Sequence, residues 1–350
     1  MSSTRPTGTS NSRNSGFTGV KATEIRATKK KLETVRAPRL IAIGGGKGGV
    51  GKTLLCANLS AALARSGYRV VAIDTDLEGA NLHTCLGIPS PRVSLADFVA
   101  ERESDLAKLT LETPIANLQL IAATYGNLAC AQPGATRRLE LLTGIRRLDC
   151  DVVFVDCGAG SHPATVDYFL VGDDGLLVLH PEPTSLENTY SFLRAAFYRR
   201  MQVAMKKHEV RDRIREAMDQ RNQRGIRSPL DLLREVESMD PGEGKRFVAT
   251  MRRFRPRIVV NEVTSSEDVK LGFAVRSVCR KFFGIDADYI GYINRDAVVH
   301  QAVLRRRLVL EEHPKSDVTI YLQRIARKLM ESLGPPGAPA GRTLSDEGNR

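Results

Sequence analysis

Short apolar runs recur along most of the chain, each bounded by Gly, Pro, Asp or Asn. "RLIAI", beginning at Arg39, is the first; "YRVVAID", "NLQLIAA", "CDVVFVD", "GLLVLH", "PRIVVNEV" and "DYIGYI" follow in order. Runs of this length without polar alternation predict strands buried on both faces. Between most of them the apolar spacing changes to a helical period. Examples are "TLLCANLSAALARSG", closed by Gly67, and the segments Ala135–Leu148 and Ser265–Phe283. Strands alternating with helices predict an α/β fold, a doubly wound and mostly parallel sheet with helices on both faces. In such sheets ligands gather beyond the carboxyl ends of the strands.

Residues 199–256 break this alternation. "MQVAMKKHEVRDRIREAMDQRNQRG" predicts one charged helix. "SPLDLLREVESMD" predicts a second, with Ser228 as N-cap, Pro229 at the first helical position and Asp231 at the third. "GKRFVATMRRF" predicts a third. These form a helical insert, 199–256, inside one domain spanning 38–333. Residues 1–37 and 334–350 lack periodicity and read as disordered tails, the first basic and carrying a short helix near Lys21–Leu32.

Composition adds little to the fold but much to the choice of partners. The chain has 350 residues, 42% hydrophobic and 26% charged, as expected of one large globular domain with appendages. Its net charge of +12 is concentrated. Residues 1–39 carry nine Lys/Arg against two Glu, and residues 191–257 carry eighteen against nine acids. An acidic partner is therefore expected at the tail and insert: nucleic acid, anionic lipid or an acidic protein. No apolar run approaches the ~20 residues of a membrane span, and the N-terminus has no secretory apolar core. The six cysteines form no C-x-x-C pair, so they read as reduced core thiols of a cytoplasmic protein.

The chemistry lies in three places, each just after a predicted strand. "GGGKGGVGKT" contains Gly46-x-x-x-x-Gly51-Lys52-Thr53, the spacing of a phosphate-binding loop. Its glycines let backbone N–H groups converge on phosphate oxygens, and the following helix aims its N-terminus at the same anion. Lys52 is expected on the β- and γ-phosphates and the Thr53 hydroxyl on Mg²⁺. Asp156, ending "VVFVD", stands where a carboxylate holds Mg²⁺ through water. Asp74 and Asp76 lie two apart on one side of an extended segment; one can orient the metal and the other the attacking water.

Together these stretches resemble the MinD/ParA family. Lys47-Gly48-Gly49-Val50-Gly51-Lys52-Thr53 resembles its deviant Walker A motif, "DTDLEGANL" its D-x-D switch and "VVFVDCGAG" its Walker B strand. "HPEPTSLENTYSF" is similar to its N-P-E segment, with His180 for the usual Asn. The "GAG" after Asp156 and the "GANL" after Asp76 are nearest the flagellar-number branch. The resemblance implies a Mg-ATP-dependent ATPase that dimerises on ATP and positions flagella or a division site. ATP would be bound by Gly46, Lys47, Gly48, Gly49, Val50, Gly51, Lys52, Thr53 and Leu54, with Asn261 on the adenine. Thr53, Asp74 and Asp156 would hold the metal. Lys47, Lys52 and Asp76 would be catalytic, Lys47 by reaching into the partner protomer's nucleotide and Asp76 by orienting water. A regulatory protein partner is also implied. The family's membrane-binding members imply contact with anionic lipid at the inner face of the plasma membrane, through the stripe Val318, Leu322, Ile325, Leu329 and Leu333 of 318–333; the same stripe also fits a helix packed on the sheet. Its partition members imply an alternative, non-specific DNA binding through the basic tail and insert.

Overall fold

The structure, a computed structural model, describes residues 37–123, 133–218 and 228–337. The expectations for the tails therefore lie outside the described residues, except at Ala37 and 334–337. Eight strands form one sheet in the order β3-β4-β2-β5-β1-β6-β7-β8. They are β1 Arg39–Gly44, β2 Val70–Asp74, β3 Leu111–Glu112, β4 Leu118–Ile121, β5 Val152–Asp156, β6 Asp174–Leu179, β7 Arg257–Val263 and β8 Asp288–Asn294. Every pairing is parallel except that of β3 with β4. The seven predicted strands are all present. The two-residue β3 has no hydrophobic pattern of its own; it is an edge pairing made by a turn.

The central strands are buried on both faces because two separate apolar layers sandwich the sheet. Leu40 and Ala42 of β1 and Val153 and Val155 of β5 face one layer. Ile41 and Ile43, with Val152 and Phe154, face the other. The first layer is covered by α4 Ala135–Ile145, α5 Pro163–Val171 and α6 Pro183–Ala204, and the second by α1 Lys52–Arg65 and the C-terminal α13 Asp317–Glu331. At the amino ends of the strands the buried carboxylate of Asp174 binds Arg39 and Arg257, each at 3.1 Å, tying β6 to the starts of β1 and β7.

The insert is helical, but its first helix is divided. The opening residues of the expected charged helix continue α6, which runs to Ala204; the chain then breaks at Met205 and restarts as α7 His208–Met218. The break has a local cause. Met205 turns extended and is 2% exposed, and the Lys206 N–H is captured by Glu243 at 3.1 Å. α8 Pro229–Met239 begins as expected, with a reciprocal Ser228–Asp231 capping box and Pro229 in its first turn. α9 Pro241–Arg253 leads into β7. The predicted helix Ser265–Phe283 is α10 Ser266–Val278 followed by a π-helical turn.

The apolar stripe of 318–333 does not face outward; of the two placements expected for it, the structure has it packed on the sheet. Val318, Leu322, Ile325 and Leu329 are at most 1% exposed and pack in the sheet layer with α1. An apolar face already buried in the core is not available for lipid insertion. No described helix is long and apolar enough to cross a membrane.

Candidate nucleotide site

The phosphate loop leaves β1 and enters α1 as predicted, and tight packing shapes it. Gly49 and Gly51 adopt φ +78 and +89, where a side chain would be strained. Gly46 is required for a different reason. A Cβ there would lie 1.9 Å from the Asn188 carbonyl oxygen, so the loop rests directly on the backbone of α6. Gly51 caps α1 without any side-chain hydrogen bond, and the first turn holds no acid. The opening N–H groups of the helix are thus free to bind an anion. Leu54 is half-buried in that first turn.

Lys52 and Lys47 face different surroundings. Lys52 is 7% exposed and donates to the Lys47 carbonyl at 3.1 Å, so it lies along its own loop. Burial lowers its pKa, opposed by the nearby carboxylates of Asp156 and Asp76. Lys47 instead projects sideways, its ammonium 2.7 Å from Glu182 and 3.2 Å from the Thr184 hydroxyl. That contact holds the Glu182 carboxyl below its usual range. Glu182 and Thr184 lie in the "HPEPT" segment, yet nothing in the sequence pattern pairs them with Lys47.

The acids converge at the ends of β2 and β5, which are adjacent and in register, Asp74 opposite Asp156. Asp156 is 2% exposed; its Oδ1 has no hydrogen-bond partner among the described residues, and its carboxyl takes a hydrogen bond from Thr53. Burial pushes its pKa up to about 7, against the pull of Thr53 and Lys52. A buried, unsatisfied carboxylate oxygen beside a threonine hydroxyl fits a divalent cation. Asp74 is placed otherwise than expected of a metal ligand. Its Oδ1 accepts the Asp76 N–H, and its Oδ2 those of Asn81 and Leu82, at 3.0–3.2 Å. Three backbone donors make it the organiser of the 76–82 loop. Burial and the nearby Asp156 raise its pKa well above the usual value.

Asp76 is half-buried and accepts the Gly79 N–H at 2.9 Å. A Cβ on Gly158 would lie 3.4 Å from its carboxyl carbon, so the glycine after Cys157 leaves room for this acid beside the Asp156 turn. Thr75 fixes the two loops together, donating its N–H and hydroxyl to the Asp156 carbonyl at 3.0 and 2.8 Å. Asn261 is 5% exposed and donates its amide to the Val50 carbonyl at 3.0 Å. The structure thus places it beneath the phosphate loop as a brace, where the resemblance put it against adenine. Next to it Glu262 has φ 57, unusual for a non-glycine residue, and its carboxylate lies 3.7 Å from His180 and 3.8 Å from Arg295.

The model of the CobQ/CobB/MinD/ParA nucleotide binding domain matches residues 41–309. The chain belongs to this family. Within it, this is a MinD/ParA-type, deviant Walker A P-loop ATPase. It is 27% identical over 315 residues to the antiactivator FleN of Pseudomonas aeruginosa, covering 89% of this chain and 93% of that protein. It is also 27% identical to the septum site-determining protein MinD of Synechocystis, over 77% of this chain and 98% of the relative. The fold is shared with MinD of Pyrococcus horikoshii, solved with Mg-ADP, at a TM-score of 0.59 and 20% identity over 85% of this chain and 98% of that one.

Proposed function

We propose that this MinD/ParA ATPase is an ATP-operated dimeric switch for spatial placement, setting flagellar number and position or a division site. Lys47 is the observation that carries this reading. Its ammonium lies outside its own phosphate cradle, half-exposed and held by Glu182 and Thr184. An ammonium held there can be handed to the phosphates of a second protomer without disturbing Lys52. A cation supplied in trans is worth about 10³–10⁵ in rate in the comparable GTPase case.

In this reading the backbone N–H groups of Gly48–Thr53 and the Lys52 ammonium bind the phosphates, and Gly46 and Asn261 keep the loop in shape. Thr53 and Asp156 hold Mg²⁺, which when bound neutralises phosphate charge. Asp76 accepts a hydrogen bond from the attacking water, and Asp74 fixes the loop that carries Asp76. The relative named septum site-determining protein supports positional control as the task. A protein partner would read the dimer. A fluorescent fusion tests this in cells. Wild type should mark poles or division sites, and Asp76→Ala should change that pattern; a diffuse signal identical in both would overturn the reading.

A further inference from the structure

The two edges of the sheet are finished differently. One ends in β3, a two-residue strand paired antiparallel and too short to template another chain. The other ends in β8, seven residues long and, among the described residues, bonded on one side only, to β7. An edge of that length offers a row of backbone N–H and C=O groups. One of them is taken by a side chain: the Lys328 ammonium donates to the Ile290 carbonyl at 2.8 Å.

Both sides of this edge carry aromatic rings. On the α10 side Phe273 is 55% exposed and meets Tyr289 edge-on, with 4.9 Å between ring centroids. On the α13 side Tyr292 packs against Tyr321 at 4.7 Å, and the Arg324 guanidinium lies over the Tyr321 ring at 5.5 Å. There a cavity of about 370 Å³ opens between β8 and α13. Its wall carries Arg324, Arg327 and Lys328 against one acid, Glu331. The three cations form no ion pair with a described carboxylate. Aromatic residues make up 5% of the chain and none is Trp, so the meeting of Phe273, Tyr289, Tyr292 and Tyr321 at one strand edge marks an anchor site.

These surroundings narrow the occupant. Unpaired strand groups are met by another extended backbone, and a bound strand sends alternate side chains to opposite faces. One set then enters the cationic cavity, and the other lies on Phe273 and Tyr289. Acidic residues suit the first and apolar residues the second. A second copy of β8 would bring Arg324, Arg327 and Lys328 against their own counterparts. Residues 1–39 are themselves basic, so that segment does not complement the cavity either. A flat bilayer surface would meet Phe273 or the cations but not both, because they stand on opposite faces of the strand.

We propose that the open edge of β8, flanked by Phe273, Tyr321, Arg324 and Arg327, is a strand-addition site for an extended segment of a partner protein in which acidic and apolar residues alternate. An incoming acid draws Lys328 from the Ile290 carbonyl and frees that carbonyl for the added strand. The site does not rest on the dimer-switch reading, because none of these residues belongs to the phosphate loop or the acid turns. The test is fluorescence anisotropy of the full chain without nucleotide, at about 50 mM salt, with a fluorescein-labelled peptide of about eight residues alternating glutamate and valine. A second peptide has the same composition, arranged as pairs of glutamates and pairs of valines. The alternating peptide should bind saturably and the paired one at least about tenfold more weakly, because it cannot keep its acids on one face. Arg324→Gln/Arg327→Gln should weaken binding about fivefold or more, and Phe273→Ser about tenfold. Both variants should keep the basal ATPase rate and a cooperative melt. Lys108→Gln, beside the opposite edge of the sheet, should bind as wild type. Deuterium exchange of the β8 amides should slow when the alternating peptide is bound. No binding, equal binding of the two peptides, or unchanged binding in either variant would each overturn the proposal. So would a nucleotide-free dimer lost in Phe273→Ser, which would make the occupant a second copy of this chain.

Discussion

The Lys47 ammonium and the Glu182 carboxylate stand 2.7 Å apart, both partly open to solvent. The contact joins the phosphate loop to the start of α6 within one chain. An exposed pair of this kind is worth about 0–1 kcal/mol, so it can be exchanged for a better partner. Glu182→Gln should therefore leave folding unchanged and tighten ATP-dependent self-association by up to about fivefold, since it frees Lys47 at little cost. Analytical ultracentrifugation with ATP reads this; weaker association in Glu182→Gln would mean that the carboxylate supports the dimer.

Gly46 gives a sharper structural prediction. A methyl at this position would meet the Asn188 carbonyl at 1.9 Å, and backbone cannot move aside cheaply. Gly46→Ala should push the loop off α6 at about 1–3 kcal/mol and weaken ATP binding by roughly 10- to 100-fold. Isothermal titration with ATP checks it, and an unchanged affinity would show that the loop does not need this contact.

The metal-free protein should lose stability as the solution becomes more alkaline. Burial holds the Asp156 pKa at about 7, above its unfolded value near 4. The folded state then binds the proton more tightly than the unfolded one. Its contribution is complete below the unfolded pKa and is lost as pH rises to and through about 7. Asp74, raised in the same direction, adds to this. Thermal melts in EDTA without nucleotide should fall over that window, and Asp156→Asn should flatten the fall. A melting temperature that rises from pH 5 to pH 8 in wild type would contradict the assignment.

Leu322 separates the two roles considered for the C-terminal helix. It is fully buried between α13 and the sheet layer. Leu322→Ala should cost about 2–5 kcal/mol in unfolding, as a core truncation does. A loss below about 0.5 kcal/mol, with reduced vesicle pelleting, would return this face to the membrane.

The sheet was legible because its strands are uninterrupted apolar runs, and buried parallel strands need little else. The phosphate loop, Asp76 and Asp156 were legible because their spacing is set by covalent geometry after a strand. The rest depends on contacts between distant segments. Nothing local links Lys47 to Glu182, or Gly46 to Asn188. The stripe from Val318 to Leu333 has the same period whether it meets lipid or a sheet; only the neighbouring α1 and β8 decide. Asn261 and Asp74, expected on adenine and on the metal, make their hydrogen bonds to the protein's own backbone.

In the proposed switch, Lys47 senses a second protomer. Asp76→Ala should accumulate an ATP-bound dimer by slowing hydrolysis, and adding Lys47→Ala should return that dimer to monomer while Lys52 still holds ATP. Light scattering after size exclusion in Mg-ATP measures the mass directly. A monomeric double variant with ATP bound is the predicted result. A double variant that remains dimeric would contradict the trans role of Lys47.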